Sequence, residues 1–115
     1  MTTTKYTTGP IENIHSPIVT DLHLKFLNNS GSTAKVRGKV FKLNGEKVKI
    51  FDTGNITLGS RESDVFAGID LSGVLQYEVQ FITNQSKVQF STWGFYSISV
   101  NSPAHRVVHS ELTKL

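Results

Sequence analysis

Apolar and polar residues alternate along most of this chain, with the period of two that half-buried strands show. Leu75, Tyr77, Val79 and Phe81 interleave with Gln76, Glu78 and Gln80 and predict a strand closed by Thr83-Asn84-Gln85-Ser86. Ile18, Leu22, Leu24 and Phe26 set against Asp21, His23 and Lys25 predict another, ended by Asn28-Asn29-Ser30-Gly31-Ser32. A third places Lys35, Arg37 and Lys39 opposite Val36 and Val40, and the alternation then slips at Phe41 and Leu43, as a bulge would cause. Asn44-Gly45 is a strong hairpin signal, with Val48 and Ile50 on the return strand.

Short strands are also expected at Ile56 to Leu58, Val65 to Leu71, Val88 to Trp93, Phe95 to Val100 and Arg106 to Leu112. Polar turns at roughly 8 to 12 residue spacing, without a helical period, predict an all-β domain. The expected fold is a single β-sandwich, immunoglobulin-like or jelly-roll, with an extended N-terminal arm. Residues 1–16 are read as the arm and 17–115 as the sandwich. The first ten residues offer only Tyr6 for burial, so the isolated arm cannot offset its own ordering entropy.

Composition narrows the chemistry. The chain has 115 residues, enough for one core, and no cysteine. Disulfides, thiolate metal sites, cysteine nucleophiles and thiol redox chemistry are thereby excluded. No apolar run marks a secretory signal or a membrane anchor, so synthesis in a cytoplasm and no membrane partner are expected. A net charge of +3 is too small to mark a dedicated nucleic-acid binder, so nucleic acid is not an expected partner.

Four constellations deserve a chemical reading. Asp52-Thr53-Gly54 resembles the Asp-Thr-Gly of retroviral-type aspartic proteases, which share two carboxylates across a dimer. The later apolar-apolar-Gly-Arg stretch of that family has only a near match, Leu58-Gly59-Ser60-Arg61, lying too close, and an inter-strand turn explains the tripeptide equally well. His105 and His109 would lie about 13 Å apart on a strand, too far to share a metal. Lys35, Arg37 and Lys39, with Lys42, Lys47 and Lys49 nearby, could meet phosphate or an anionic glycan, although lysine also guards exposed strands against aggregation. Trp93 and Tyr96 could present rings to a sugar, as in sandwich-type carbohydrate-binding modules, or pack into the core. The expectation is a protein without enzymatic activity, catalytic residues, metal or cofactor.

The Thr-rich arm Met-Thr-Thr-Thr-Lys-Tyr-Thr-Thr-Gly-Pro, followed by an Asn, Ser, Thr and Gly-rich sandwich, resembles the endospore appendage (Ena-type) pilin subunits of spore-forming Bacillus. That resemblance implies a structural subunit assembling head-to-tail into a surface fibre or spore appendage. Its partners would be copies of itself in a helical homopolymer, together with anchor or tip proteins, at a spore or cell surface. The arm would dock on a neighbouring subunit through Tyr6, Thr7, Thr8, Ile11 and Ile14. Cysteines that cross-link other family members are missing here, so such a fibre would depend on strand pairing and packing. The alternative is a monomeric binding module for glycan or another polyanion, with Lys35, Arg37, Lys39, Trp93 and Tyr96 as its ligand face.

Overall fold

A computed structural model describes residues 3–14, 18–97, 100–101 and 105–115. Among the described residues, eleven strands form two antiparallel sheets: β1 (Thr4–Thr7), β2 (Ile11–Glu12), β3 (Asp21–Asn28), β4 (Ala34–Leu43), β5 (Lys47–Asp52), β6 (Ile56–Leu58), β7 (Ser63–Asp70), β8 (Gln76–Thr83), β9 (Val88–Ser97), β10 (Val100–Asn101) and β11 (Thr113–Lys114). The first sheet runs β11-β1-β8-β4-β5, with β2 continuing β1 along β8 and β6 continuing β5 along β4. The second runs β10-β9-β3-β7. The expected β-sandwich is the observed architecture.

Each sheet turns one set of alternating residues inward. Leu22, Leu24 and Phe26 of β3 meet Val36, Val40, Tyr77, Val79 and Phe81 of the facing sheet, all buried. Phe26, Phe81 and Phe90 form the centre: Phe81 stacks on Phe90 with centroids 4.6 Å apart, and Phe26 meets both edge-on. Each such ring removed from water contributes roughly 1.5–3 kcal/mol. Gly38 of β4 brings the layers close, because a Cβ there would sit 3.0 Å from Leu24 Cδ1 and 3.1 Å from Phe26 Cζ.

Threonine hydroxyls carry the ladders across two interruptions. Between β1 and β2, the Thr8 amide donates to the Val79 carbonyl, and the Val79 amide donates to Thr8 Oγ1 at 3.0 Å. Between β5 and β6, the Thr53 amide donates to the Gly38 carbonyl, and the Gly38 amide donates to Thr53 Oγ1 at 2.9 Å. Both strand breaks therefore leave the neighbouring backbone satisfied.

Several local expectations are corrected. The slip expected at Phe41 and Leu43 belongs to the partner strand: β4 pairs with β8 without a shift, whereas Val40 faces Phe51 and Phe41 faces Lys49, leaving Ile50 as the extra residue of β5. Val19 is buried where Ile18 was expected, because the chain enters β3 only at Asp21, and Ile18 is exposed. Val88 to Trp93 and Phe95 onward form one continuous strand, β9, with residues 98–99 outside the described segment. Arg106 to Leu112 is not a strand. Val107 makes a single bridge to Thr92, a 3-10 turn covers His109–Glu111, and the chain crosses to the first sheet, where β11 pairs with β1.

Candidate anion-binding face

The outward side of the first sheet collects most of the cations singled out in the sequence. Alternation along β4 puts Lys35, Arg37 and Lys39 on that side. Strand pairing adds the rest: Arg37 lies opposite Ile82, which faces Lys5 of β1, while Lys39 lies between Gln80 and Asp52, and Phe41 between Glu78 and Lys49. Lys47 lies opposite Leu43. Six cations thus share one face with two carboxylates, Asp52 and Glu78.

Both carboxylates are engaged. Arg37 clamps Asp52 with two hydrogen bonds, Nε to Oδ1 at 2.9 Å and Nη2 to Oδ2 at 2.6 Å, and Lys49 Nζ donates to Oδ2 at 2.9 Å. The Gly54 amide also donates to Asp52 Oδ1. The Arg37 guanidinium beside Asp52 is the main reason its carboxyl is held far below the usual range, with Lys49 and the Gly54 amide adding to it against the opposing effect of burial. Glu78 accepts from Thr7 and Gln80 and pairs with Lys47 Nζ at 2.8 Å. Partial burial raises the Glu78 pKa, but the bonds from Lys47, Thr7 and Gln80 outweigh it and hold the carboxyl below its ordinary value.

Lys5, Lys35 and Lys39 are left without an ion pair among the described residues, and Lys39 is the one beside Arg37, Lys49 and Lys5. Among the described residues no carboxylate forms an ion pair with it. Its partial burial, followed by the charge of Arg37, lowers its pKa; Lys49 and Lys5 act in the same sense, and Asp52 opposes them. An ammonium held among other cations favours an incoming anion, whose charge would relieve that repulsion.

The Asp-Thr-Gly tripeptide is a connecting turn between β5 and β6. Its carboxylate is fixed by Arg37, its hydroxyl completes the β4 ladder, and Gly54 adopts φ +70°.

The other proposed ligand residues do not join this face. Trp93 lies on the outward side of the second sheet, where its Nε1 donates to Ser91 Oγ at 3.0 Å. Lys25 Nζ lies 4.8 Å and Arg106 Cζ 5.7 Å from its ring centroid, so two cations already cover the indole. Tyr96 is exposed, but its position three residues along β9 turns it to the opposite side from Trp93. Lys35, Arg37 and Lys39 are therefore separated from Trp93 by the thickness of the sandwich, and Tyr96 shares a side with neither.

The arm lies in the sheet of its own chain. Thr4–Thr7 pairs with residues 80–83 of β8, and Ile11 faces Tyr77. Tyr6 packs against Phe90 and His109, with centroids 5.9 and 5.0 Å away. Thr7 binds Glu78, Thr8 binds Val79, Ile11 packs on the core, and Ile14 is half exposed. Residues 1–2 and 15–16 of the expected arm lie outside the described segments.

Three structural roles escaped the sequence reading. Buried Asn13 clasps the turn after the arm: its Nδ2 donates to the Val19 and Val74 carbonyls, and the Val19 amide donates to its Oδ1. Asn28 similarly gathers Ser30, Ser32, Leu58 and Gly59. His105 is buried against Tyr77, whereas His109 accepts from the Phe90 amide, so the two histidines serve separate contacts. Of the two asparagines buried among the described residues, Asn28 was visible in the sequence only as a turn signal.

No protein-family model matches this chain, and no curated protein matches it. Among solved structures, the fold is similar to a crystal structure of Thermotoga maritima 1070, with 13% identity and a TM-score of 0.49, covering 97% of this chain and 90% of that one.

Proposed function

We propose that this domain is a non-enzymatic binding module whose outward β1-β8-β4-β5 face holds an extended anionic glycan. The observation that carries this reading is Lys39, an ammonium without a carboxylate partner among the described residues, surrounded by Lys5, Arg37 and Lys49. A repeating carboxylate or sulfate chain supplies several charges at once, which one small ion does not. A glycan suits the face better than a nucleic acid. Phe41 is the aromatic ring there, and Lys47 Nζ sits 4.5 Å from its centroid, leaving no row of bare rings for bases. Calorimetric titration of the full chain with a sulfated oligosaccharide at low and high salt tests the reading. Binding that weakens steeply with salt supports it, and no heat of binding at low salt refutes it.

A second reading is assembly into a fibre through the N-terminal arm, with the spore-surface setting implied by the resemblance. It draws on the arm's placement along one edge of β8, since a neighbour's arm could make the same bonds. Negative-stain electron microscopy of the full chain tests it: filaments support arm exchange, and dispersed particles at all concentrations reject it.

A further inference from the structure

Counting by two along the outward side of β8 gives Gln76, Glu78, Gln80 and then Ile82, so an apolar side chain ends a polar row. Ile82 is partly buried and is turned away from the core, which Phe81 and Thr83 face. Strand register sets it between Lys5 of β1 and Arg37 of β4, with Lys35 two residues further along β4 on the same side.

A hollow of about 170 Å³ opens over Ile82. Thr3 and Asn84 border it toward the end of the sheet, Lys35 and Arg37 along β4, and Asn55 at the break between β5 and β6. The Asp52 clamp helps to keep it open. Asp52 pairs with Lys39, two residues down β4 from Arg37, so both Arg37 bonds draw the guanidinium away from the Lys35 end. Asn84 is fixed at the rim, where its Oδ1 accepts from the Lys35 amide at 2.9 Å.

Cations dominate the polar groups around this apolar floor. Lys5 and Lys35 form no ion pair among the described residues, and Arg37 keeps N–H groups beyond the two given to Asp52. The exposed Asn55 makes no side-chain hydrogen bond among them. No carboxylate is among the residues lining the hollow. Polyphosphate would meet the cations but gain nothing from Ile82. A pyranose ring carries a face of C–H groups and a rim of hydroxyls, carboxylate or sulfate, so it can use the floor and the rim together.

We propose that this hollow seats one ring of the bound glycan, with its C–H face on Ile82, its carboxylate or sulfate beside Lys35 and Arg37, and a hydroxyl at Asn55. The contact makes the face selective for a carbohydrate over another polyanion of equal charge. The seat rests on the glycan reading above and adds its specificity determinant.

Calorimetric titration of the full chain at low salt, with a sulfated oligosaccharide and with a polyphosphate carrying the same number of charges, tests it. Ile82→Gln gives the floor the side chain of positions 76 and 80 without altering charge. It should lower the ratio of oligosaccharide to polyphosphate affinity about fivefold, through lost apolar contact. Asn55→Ala, in an exposed turn, should lower the same ratio about threefold. The ratio is the readout because a general effect on folding moves both affinities, and circular dichroism checks the fold of each variant. Lys39→Glu, outside the hollow, should weaken both probes and so reports on the cationic face separately. If Lys39→Glu weakens both while neither Ile82→Gln nor Asn55→Ala moves the ratio, the seat is overturned and the cationic face stands. A chain that binds neither probe overturns both.

Discussion

Tyr77 and His105 share a hydrogen bond, Oη to Nδ1 at 2.7 Å, and their rings stack with centroids 5.7 Å apart. Tyr77 belongs to the inward side of β8, whereas His105 begins the C-terminal segment that closes the sandwich. The bond therefore ties that segment to the opposite sheet. Gly94 makes room for it, since a Cβ there would lie 2.6 Å from His105 Cβ. Burial pushes the Tyr77 pKa up and the His105 pKa below its ordinary 6.5, so both side chains are neutral at pH 7.

Stability should fall on mild acidification. His105 binds a proton less readily in the folded chain than in the unfolded one, so its contribution is complete above about pH 6.5 and declines as pH falls below that value toward the folded pKa. Burial lowers the His109 pKa in the same sense. Urea midpoints between pH 7.5 and 5 check this; in His105→Gln the dependence over that range should be weaker.

Tyr77→Phe removes the hydroxyl and leaves His105 Nδ1 buried without it. The expected loss is about 1–2 kcal/mol. Gly94→Ala forces His105 and Val19 aside and should cost a further 1–3 kcal/mol, roughly what overpacking costs elsewhere. Chemical denaturation of the two variants measures both.

Asn13→Ala should cost roughly 3 kcal/mol, because three hydrogen bonds vanish and the Val19 amide and two carbonyls are left buried. Thermal unfolding followed by circular dichroism reads this loss directly.

Deleting residues 1–10 tests the arm. A detachable connector would leave a stable domain. Here Tyr6 sits against Phe90 and His109, and β1 separates β8 from β11, so the truncated chain loses a strand, a core ring and the anchor of its C-terminus. The predicted outcome is a large fall in melting temperature or failure to fold; an unchanged melting temperature would show that the arm is dispensable.

Much of this was legible because local alternation carries it. The inward side of β8 and the outward placement of Lys35, Arg37 and Lys39 both follow from counting by two along the chain. The same counting separates Trp93 from Tyr96, three residues apart on one strand. What alternation does not carry is pairing between distant segments. Lys5 joins the cationic face only because β1 lies beside β8, and Arg37 reaches Asp52 only because β5 folds back on β4. His105 looked like half of a strand pair because its partner, Tyr77, is 28 residues away. Ile18 lost its core position to Val19 because the Asn13 clasp, which bonds the Val19 backbone, fixes where the chain enters the sandwich.

Lys39→Glu should weaken binding of a sulfated oligosaccharide by roughly tenfold or more, since a contact of up to about 1 kcal/mol becomes a repulsion of similar size. The decisive measurement is an NMR titration of the full chain with that oligosaccharide, following backbone amides residue by residue. The account predicts that the largest shifts fall on Lys5, Lys35, Arg37, Lys39 and Lys49 and shrink as salt is raised. Shifts centred on Trp93, or none at low salt, would contradict it.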